Sequence, residues 1–333
     1  MGVGCVAGEV TVIGGGTGSF NLLSGLRAQT DFSLRSIVTM MDSGGDSGVL
    51  RDAFGVLPPG DLRRCLVALS EESQILRDLF SFRFGDGPLA GRNFGNLFFL
   101  ALTQSLGSEQ QAVSALSRIL KIRGEVIPVT WDHAQLVART RDGELLRGEA
   151  AIDARGSGLG ARPSPIEVIW LEPEASANPA AIAAIRGCDA LVLAPGDVFT
   201  SLVPNLLVAG VADAIRESRG TLVFVINLMT KAGETDDWSA RRHVDELALR
   251  AGRAPDAVLV HDGELARARL ADYAREGAVP VADDLGPDGR APYRIARADL
   301  ASAGALIHHD PDRTALAIAA LLRGAPALAR RSA

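Results

Sequence analysis

The chain is 333 residues long, enough for a large α/β core. With 22% charged and 47% hydrophobic residues it reads as globular rather than disordered. A net charge of −6 without a basic block argues against non-specific attachment to nucleic acid or to an anionic membrane. Cys5, Cys65 and Cys188 lie far apart with no Cys-x-x-Cys spacing, so they predict neither a disulfide framework nor a zinc site and suit a reducing cytosol. Met1 to Gly8 carries no basic region and no long apolar core, which predicts no secretory leader. No apolar stretch reaches membrane-spanning length. Together these readings place the protein in the cytoplasm, without membrane insertion.

Residues 9–14 form a β-type apolar run that breaks into Gly14-Gly15-Gly16-Thr17-Gly18-Ser19, and a helix is expected over 20–28. A strand that ends in glycines and feeds a helix N-terminus binds phosphate: the backbone can approach closely, and free N–H groups and the helix dipole favour negative charge. Gly14-x-Gly16-x-x-Ser19 nearly fits the dinucleotide fingerprint, with Ser19 where the third glycine would stand. That substitution, and the lack of a hydride-transfer acid, count against an NAD(P)-linked oxidoreductase, so no NAD requirement is expected. No Lys-Ser or Lys-Thr follows the glycines, which excludes a Walker loop.

Leu34 to Met41 reads as a second strand closing in Asp42, ahead of the glycine loop Ser43-Gly44-Gly45-Asp46-Ser47-Gly48. An acid there can bind ribose hydroxyls or a metal, or serve only the turn. Pro58-Pro59-Gly60 then fixes a bend, with Asp61 placed either as an N-cap or as a rigid acid beside that loop. Helices are expected over 73–84, 93–104 and 108–122, with Asn96 at the start of an apolar helix as a cap or a ligand contact. Residues 125–130, 135–140 and 145–152 alternate apolar and polar, with Arg141-Asp142-Gly143-Glu144 as a hairpin turn, and predict a small antiparallel insertion at about 124–165. Its last part, Arg155 to Pro165, is rich in Gly, Pro and Ser and reads as a loop.

The α/β rhythm then returns: strands at 166–171, 189–193, 221–226 and 257–260, and helices at 178–186, 239–250, 264–274 and 313–322. Two more polar loops follow strands, Ala194 to Ser201 with Gly196 and Thr200 before Asn205, and Asn227 to Asp236. Loops at the carboxyl ends of parallel strands face one crevice, so one composite site is expected. Its candidates are Asp42, Asp46, Asp61, Asp197, Glu234, Asp236, Asn96, Asn205, Asn227, Thr200 and Thr230, a set that suits Mg²⁺ or hydroxyl groups rather than zinc. Arg51, Arg63 and Arg64 are candidates to clamp a phosphate. Lys121 and Lys231 are the only lysines, so Schiff-base chemistry has two candidates at most. His243, His308 and His309 are read as core or surface residues, and no Gly-x-Ser-x-Gly elbow anchors a hydrolase triad.

The stretches IGGGTGSFNLLSGLR, IVTMMDSGGDSGVLRDAFGVLPPGDLRRCLVALS, FRF (residues 82–84) with GRNFGNLFFLALT, ILKIRGEVIPVT, LVLAPGDVFTSLVPNLLVAGVADAI and INLMTKAGETDDWSARRHV resemble, in this order, the CofD/YvcK family and within it the YvcK-like branch. The resemblance covers roughly residues 10 to 260. It implies a single CofD-like α/β domain over 1–333, with a Rossmann-like, doubly wound and mostly parallel sheet and its ligand at the strand ends. CofD members transfer a phospholactyl-type group from a guanosine diphosphate-linked donor with Mg²⁺. YvcK-like members bind UDP-sugars such as UDP-GlcNAc and are linked to gluconeogenic growth, cell shape and cell-wall synthesis. By position, Gly14, Gly15, Gly16, Thr17 and Gly18 would cradle a diphosphate, with Ser43, Gly44, Gly45 and Gly196 beside it. Asp42 would belong to the nucleotide or metal site, with Asp61 as a second candidate metal ligand; Asp61, Asn96, Thr200 and Asn205 would line the crevice, and Asn227 would lie at its far edge. Two positions depart from the family pattern. Asp-Ser-Gly-Gly-Asp replaces Asp-Asp-Gly-Gly-Ser, moving one acid to Asp46, and Asn93 stands for the usual histidine. The expected function is a nucleotide-sugar-binding regulator, with a Mg²⁺-dependent CofD-like transferase as the alternative. A homodimer is compatible with such folds, though no stretch marks its interface.

Overall fold

A computed structural model describes residues 8–29, 31–156, 162–287, 291–304 and 306–323. Cys5, the leader expectation for the first seven residues and the centre of the 155–165 loop lie outside them. The chain begins with β1, Gly8–Gly14, α1, Gly16–Ala28, and β2, Phe32–Val38. Five helices follow: α2, Gly45–Phe54, α3, Gly60–Leu69, α4, Gln74–Ser81, α5, Phe94–Leu106, and α6, Glu109–Ile119. They lead to β3, Glu125–Pro128. An excursion then runs through β4, Gln135–Thr140, β5, Leu145–Arg147, α7, Glu149–Asp153, and β6, Ile166–Glu172. Next come α8, Pro179–Gly187, β7, Ala190–Leu193, a π-type turn at Val198–Leu202, α9, Val203–Leu206, and α10, Val211–Glu217. The chain closes with β8, Thr221–Val225, α11, Ala240–Ala251, β9, Ala257–His261, α12, Arg267–Arg275, β10, Arg294–Ala298, and α13, Pro311–Arg323.

Seven strands pair in parallel in the order β10-β9-β8-β7-β1-β2-β3. Both faces are covered, so β7 and β8 are continuous apolar runs, buried at every residue. Alternation within β1 divides the core. Val10 and Val12 pack with Leu22, Leu23 and Leu26 of α1, Leu66 of α3 and Ile318 of α13. Ile13 faces the other way, toward Ile185 of α8, Ile215 of α10 and Leu247 of α11. Each such side chain contributes about 1.5–3 kcal/mol by leaving water. The expected doubly wound α/β class is therefore what the chain adopts. No helix among the described residues is long and apolar enough to cross a membrane.

Several expected boundaries move. α1 begins four residues early, at Gly16, because Gly15 takes the N-cap position in extended backbone and offers no side chain to cap it. The loop at 43–48 is largely the first turn of α2, with Gly44 as its N-cap. Asp61 is not an N-cap: Pro59 holds that position and Asp61 sits buried inside the first turn of α3. β3 pairs in parallel with β2 at the edge of the main sheet, so residues 125–128 do not belong to the antiparallel insertion. The 145–152 run breaks at Gly148, φ 91°, and continues as α7. β6, expected to resume the α/β rhythm, is the third strand of the antiparallel sheet β5-β4-β6, so the insertion occupies 135–172. β10, a short edge strand with two arginines, carries no apolar alternation to announce it and was not expected.

Candidate functional site

β2 and β3 lie on one side of β1, and β7 to β10 on the other. The connections therefore diverge between β1 and β7, and loops at their carboxyl ends open a crevice there. It is a cavity of about 1070 Å³ lined by the loops after β1, β2, β7 and β8, by α3 and α7, and by His308 and His309 ahead of α13.

Its floor is the glycine loop. Gly16 has φ 65°, and a Cβ on Gly18 would stand 1.9 Å from the Pro195 carbonyl oxygen. The loops after β1 and β7 thus touch backbone to backbone, which a side chain at position 18 would forbid. The N-cap residue of α1, Gly15, gives no side-chain cap, and Gly15 to Gly18 border the cavity; Asp61 takes the Gly16 N–H, and the remaining N–H groups and the helix dipole offer a seat for an anion. Gly14 closes β1 and lies below: its carbonyl accepts from the Thr39 N–H at 3.3 Å and Asn205 Nδ2 at 3.4 Å. Asn205 is fully buried beneath the loop, bonded also to the Ser201 carbonyl, and does not line the cavity. Asn227 does line it. Its amide brackets Gly196, accepting from the N–H at 3.0 Å and donating to the carbonyl at 2.8 Å, and so fixes the loop after β7.

Three carboxylates face the glycine loop from one side. Asp61 lies against Gly15 and Gly16, and burial, aggravated by Asp42, pushes its pKa up to about 6. Glu149, delivered by α7, is pushed up to about 7 by burial and by Asp42. Asp42 turns one oxygen onto the Gly44 N–H at 2.9 Å. Arg64 stands 3.8 Å from Asp61, and the three acids do not bring one oxygen each within 4.8 Å of the others, so as placed they offer one or two carboxylates, the number that a Mg²⁺ shared with phosphates takes. Glu149 was not anticipated in the sequence, because the insertion that carries it was read as strand. Ser43 points away from the crevice: its hydroxyl accepts from the Ala150 N–H at 2.9 Å and its N–H donates to Glu149, so it ties the loop after β2 to α7.

A second acidic group stands opposite, where one carboxylate oxygen each of Asp153, Asp197 and Glu234 lies within 4.8 Å of the others. Lys231 fills it, with Nζ 2.7 Å from Asp153 and 3.7 Å from Asp197. Against the effect of burial, Asp197 and Asp153 hold its pKa above the ordinary lysine value. Burial raises the Glu234 carboxyl, which accepts from the Phe199 N–H and the Thr200 hydroxyl. The ammonium thus serves as the resident cation and joins α7 to the loops after β7 and β8. Asp236 remains in a local turn, accepting from the Gly233 N–H. Thr230 lines the cavity and bonds to Val279.

The two unusual positions meet. Asp46 accepts from the Asn93 N–H at 3.0 Å, from Asn96 Nδ2 at 2.8 Å and from Arg92 at 3.1 Å. Asn93 caps α5 by accepting from the Asn96 N–H. The displaced acid is therefore spent on holding α2 to α5, and Asn96, although it lines the cavity, is fully occupied by Asp46 and by Arg63 Nε. Arg63 and Arg64 border the cavity; Arg51 pairs with Asp52 instead. Arg83, within the FRF stretch but given no role from the sequence, joins them. His308 and His309 also border it, and burial drives the His309 pKa down to about 4 while Nε2 bonds the Ile226 carbonyl at 3.2 Å.

The chain matches the family model described as 2-phospho-L-lactate transferase CofD over residues 10–301. It is 38% identical over 311 residues to an Aquifex aeolicus protein with a provisional gluconeogenesis-factor name, covering 92% of this chain and 94% of that one. It is 40% identical over 248 residues to the gluconeogenesis factor of Listeria monocytogenes, covering 74% of each. The crystal structure of a UPF0052-family protein from Bacillus halodurans matches with a TM-score of 0.86 at 34% identity, over 94% of this chain and 99% of that one. Sequence and architecture agree that the chain belongs to the CofD family.

Proposed function

We propose that the protein binds a nucleoside diphosphate sugar of the UDP-GlcNAc type and acts as a regulatory sensor linking central carbon metabolism to cell-wall synthesis. The observation that carries this reading is the N-terminus of α1 opening into a large crevice at the switch point between β1 and β7. The diphosphate would rest on Gly15 to Gly18, with the loop after β7 closing against it. The names of the gluconeogenesis-factor relatives support the metabolic setting. A thermal-shift panel of UDP-GlcNAc, UDP-glucose, GDP, GTP and NAD, each with and without Mg²⁺, tests it. Uridine diphosphates at about 100 times their dissociation constant should add about 2.7 kcal/mol. That is a rise of a few degrees in Tm. A shift with NAD alone, or with no nucleotide, would reject the reading.

A second reading, a transferase of a phosphorus-linked group, is favoured by Asp42, Asp61 and Glu149 beside the glycine loop. One or two of these acids, together with the ligand's phosphates, would hold Mg²⁺, which when bound would neutralise diphosphate charge. Conversion of a nucleoside diphosphate-linked donor that is lost in Asp42→Asn, with folding intact, would favour this reading; wild-type turnover in that variant would exclude it.

A further inference from the structure

Beyond Asp61, on the side away from the glycine loop, the crevice wall is made of arginine. Arg63, Arg64 and Arg83 all border the cavity, and Arg64 and Arg83 stand close enough to Arg63 to repel its charge. Arg63 is buried, held by Asn96 through Nε at 3.0 Å and by the Phe80 carbonyl through Nη1 at 3.1 Å. Among the described residues neither Arg63 nor Arg83 has a carboxylate within 4.0 Å; Asp61 and Asp46 act on Arg63 from farther off, Arg83 donates to the Gly91 carbonyl, and Arg64 reaches only Asp61, at 3.8 Å. The nearby acid that could have neutralised them, Asp46, is consumed by Arg92, Asn93 and Asn96. A buried guanidinium without a counter-ion is costly, and two more beside it make it costlier. Charges kept in that state on a cavity wall suit an anion delivered by the ligand, and the planar guanidinium fork suits a carboxylate.

The geometry points to a second anion subsite at Arg63, Arg64 and Arg83, which takes a carboxylate on the sugar of a nucleoside diphosphate whose phosphates lie on Gly15 to Gly18. This assignment rests on the nucleotide-sugar reading above and adds to it a preference for an acidic sugar over a neutral one. Asp61 stands between the diphosphate seat and this wall, lying against Gly15 on one side and 3.8 Å from Arg64 on the other.

The test uses matched ligands and the full chain. UDP-glucuronate and UDP-glucose differ only at C6, where one has a carboxylate and the other a hydroxymethyl group. Glucuronate 1-phosphate and glucose 1-phosphate repeat that difference without a base. Glucose 1,6-bisphosphate puts a phosphate at the same end. By calorimetry the glucuronate member of each pair should bind about tenfold tighter, the scale of one charge-assisted bidentate contact. Arg83→Gln should cut the preference to less than about twofold, and Arg64→Gln should reduce it too. Arg83 is exposed, so its replacement spares the fold where loss of Arg63 would not. Preference in the base-free pair alone would sustain the subsite while rejecting the uridine reading. Equal affinities in both pairs, a preference that survives Arg83→Gln, or a bisphosphate preferred where glucuronate is not, would each overturn the assignment, as would the absence of binding by every ligand.

Discussion

Gly18 shows how much one hydrogen atom decides in this protein. Its missing side chain lets the loop after β1 meet the Pro195 carbonyl, so Gly18→Ala should cost about 1–3 kcal/mol through forced backbone movement. Urea denaturation would read this as a lower midpoint, and an unchanged midpoint would mean the two loops are not in contact. The buried titratable groups make a second residue-scale prediction. His309 is held neutral, with its pKa lowered from 6.5 to about 4. The unfolded chain therefore binds more protons between those values, and this residue's contribution is full above pH 6.5 and fades as pH falls toward 4. Asp61 has the opposite sign. Its pKa is raised from 3.8 to about 6, so the folded state binds more protons in that window and stability falls as pH rises through it. Each effect is about 3 kcal/mol. Glu149 and Glu234, raised in the same way, act with Asp61, so His309 offsets only part of the fall in stability across pH 4 to 6.5. Relative to wild type, Asp61→Asn should make the profile fall less steeply with pH and His309→Gln should make it fall more steeply. Parallel pH profiles for the two variants would refute the assignment of these groups.

At the scale of elements, α7 couples the insertion to the crevice. It brings Glu149 to Asp42 and Asp153 to Lys231, and a Cβ on nearby Gly156 would stand 2.1 Å from the Ala232 carbonyl oxygen. Lys231→Met should leave Asp153, Asp197 and Glu234 mutually repelling and cost about 1–2 kcal/mol, discounted because the lysine is a third exposed. Millimolar Mg²⁺ should restore that loss through those acids, and Asp153→Asn in the same background should restore part of it without the ion. If Mg²⁺ does not move the Tm of Lys231→Met more than that of wild type, the lysine is not standing in for a cation. This coupling was hidden from the sequence. Alternation over 145–152 is the signature of a strand, and only the positive φ at Gly148 turns the chain into a helix that carries two acids to the site. The glycine loop after β1 was legible because its chemistry is local, whereas Asp46 and Asn93, 47 residues apart, gain their roles only from contact. Arg83 shows the same limit: the FRF stretch that holds it says nothing of its role, and only the hairpin between α4 and α5 sets it on the wall.

Across the whole molecule, the sheet order explains both the site and the distribution of rigidity. The parallel fold was legible because β7 and β8 are uninterrupted apolar runs, while β3 and β10 sit at the edges, where fewer neighbours constrain their sequences. Edge strands open at lower free energy than central ones, since each is hydrogen-bonded on one side only. Amides of Leu191, Val192, Val223 and Phe224, in fully buried central strands, should therefore exchange only through global unfolding, and those of Ile295 and Ala296 through local opening. The crevice adds a ligand-dependent layer to this pattern. It draws on loops from both halves of the sheet and on α7 from the insertion, so a diphosphate seated on α1 must tie together segments far apart in the chain. Adding UDP-GlcNAc should slow exchange at residues 15–18, 196–201 and 149–153 together, with β10 unchanged. Protection confined to residues 15–18 would mean that the ligand touches the glycine loop alone, and that the insertion and the loop after β7 take no part in holding it.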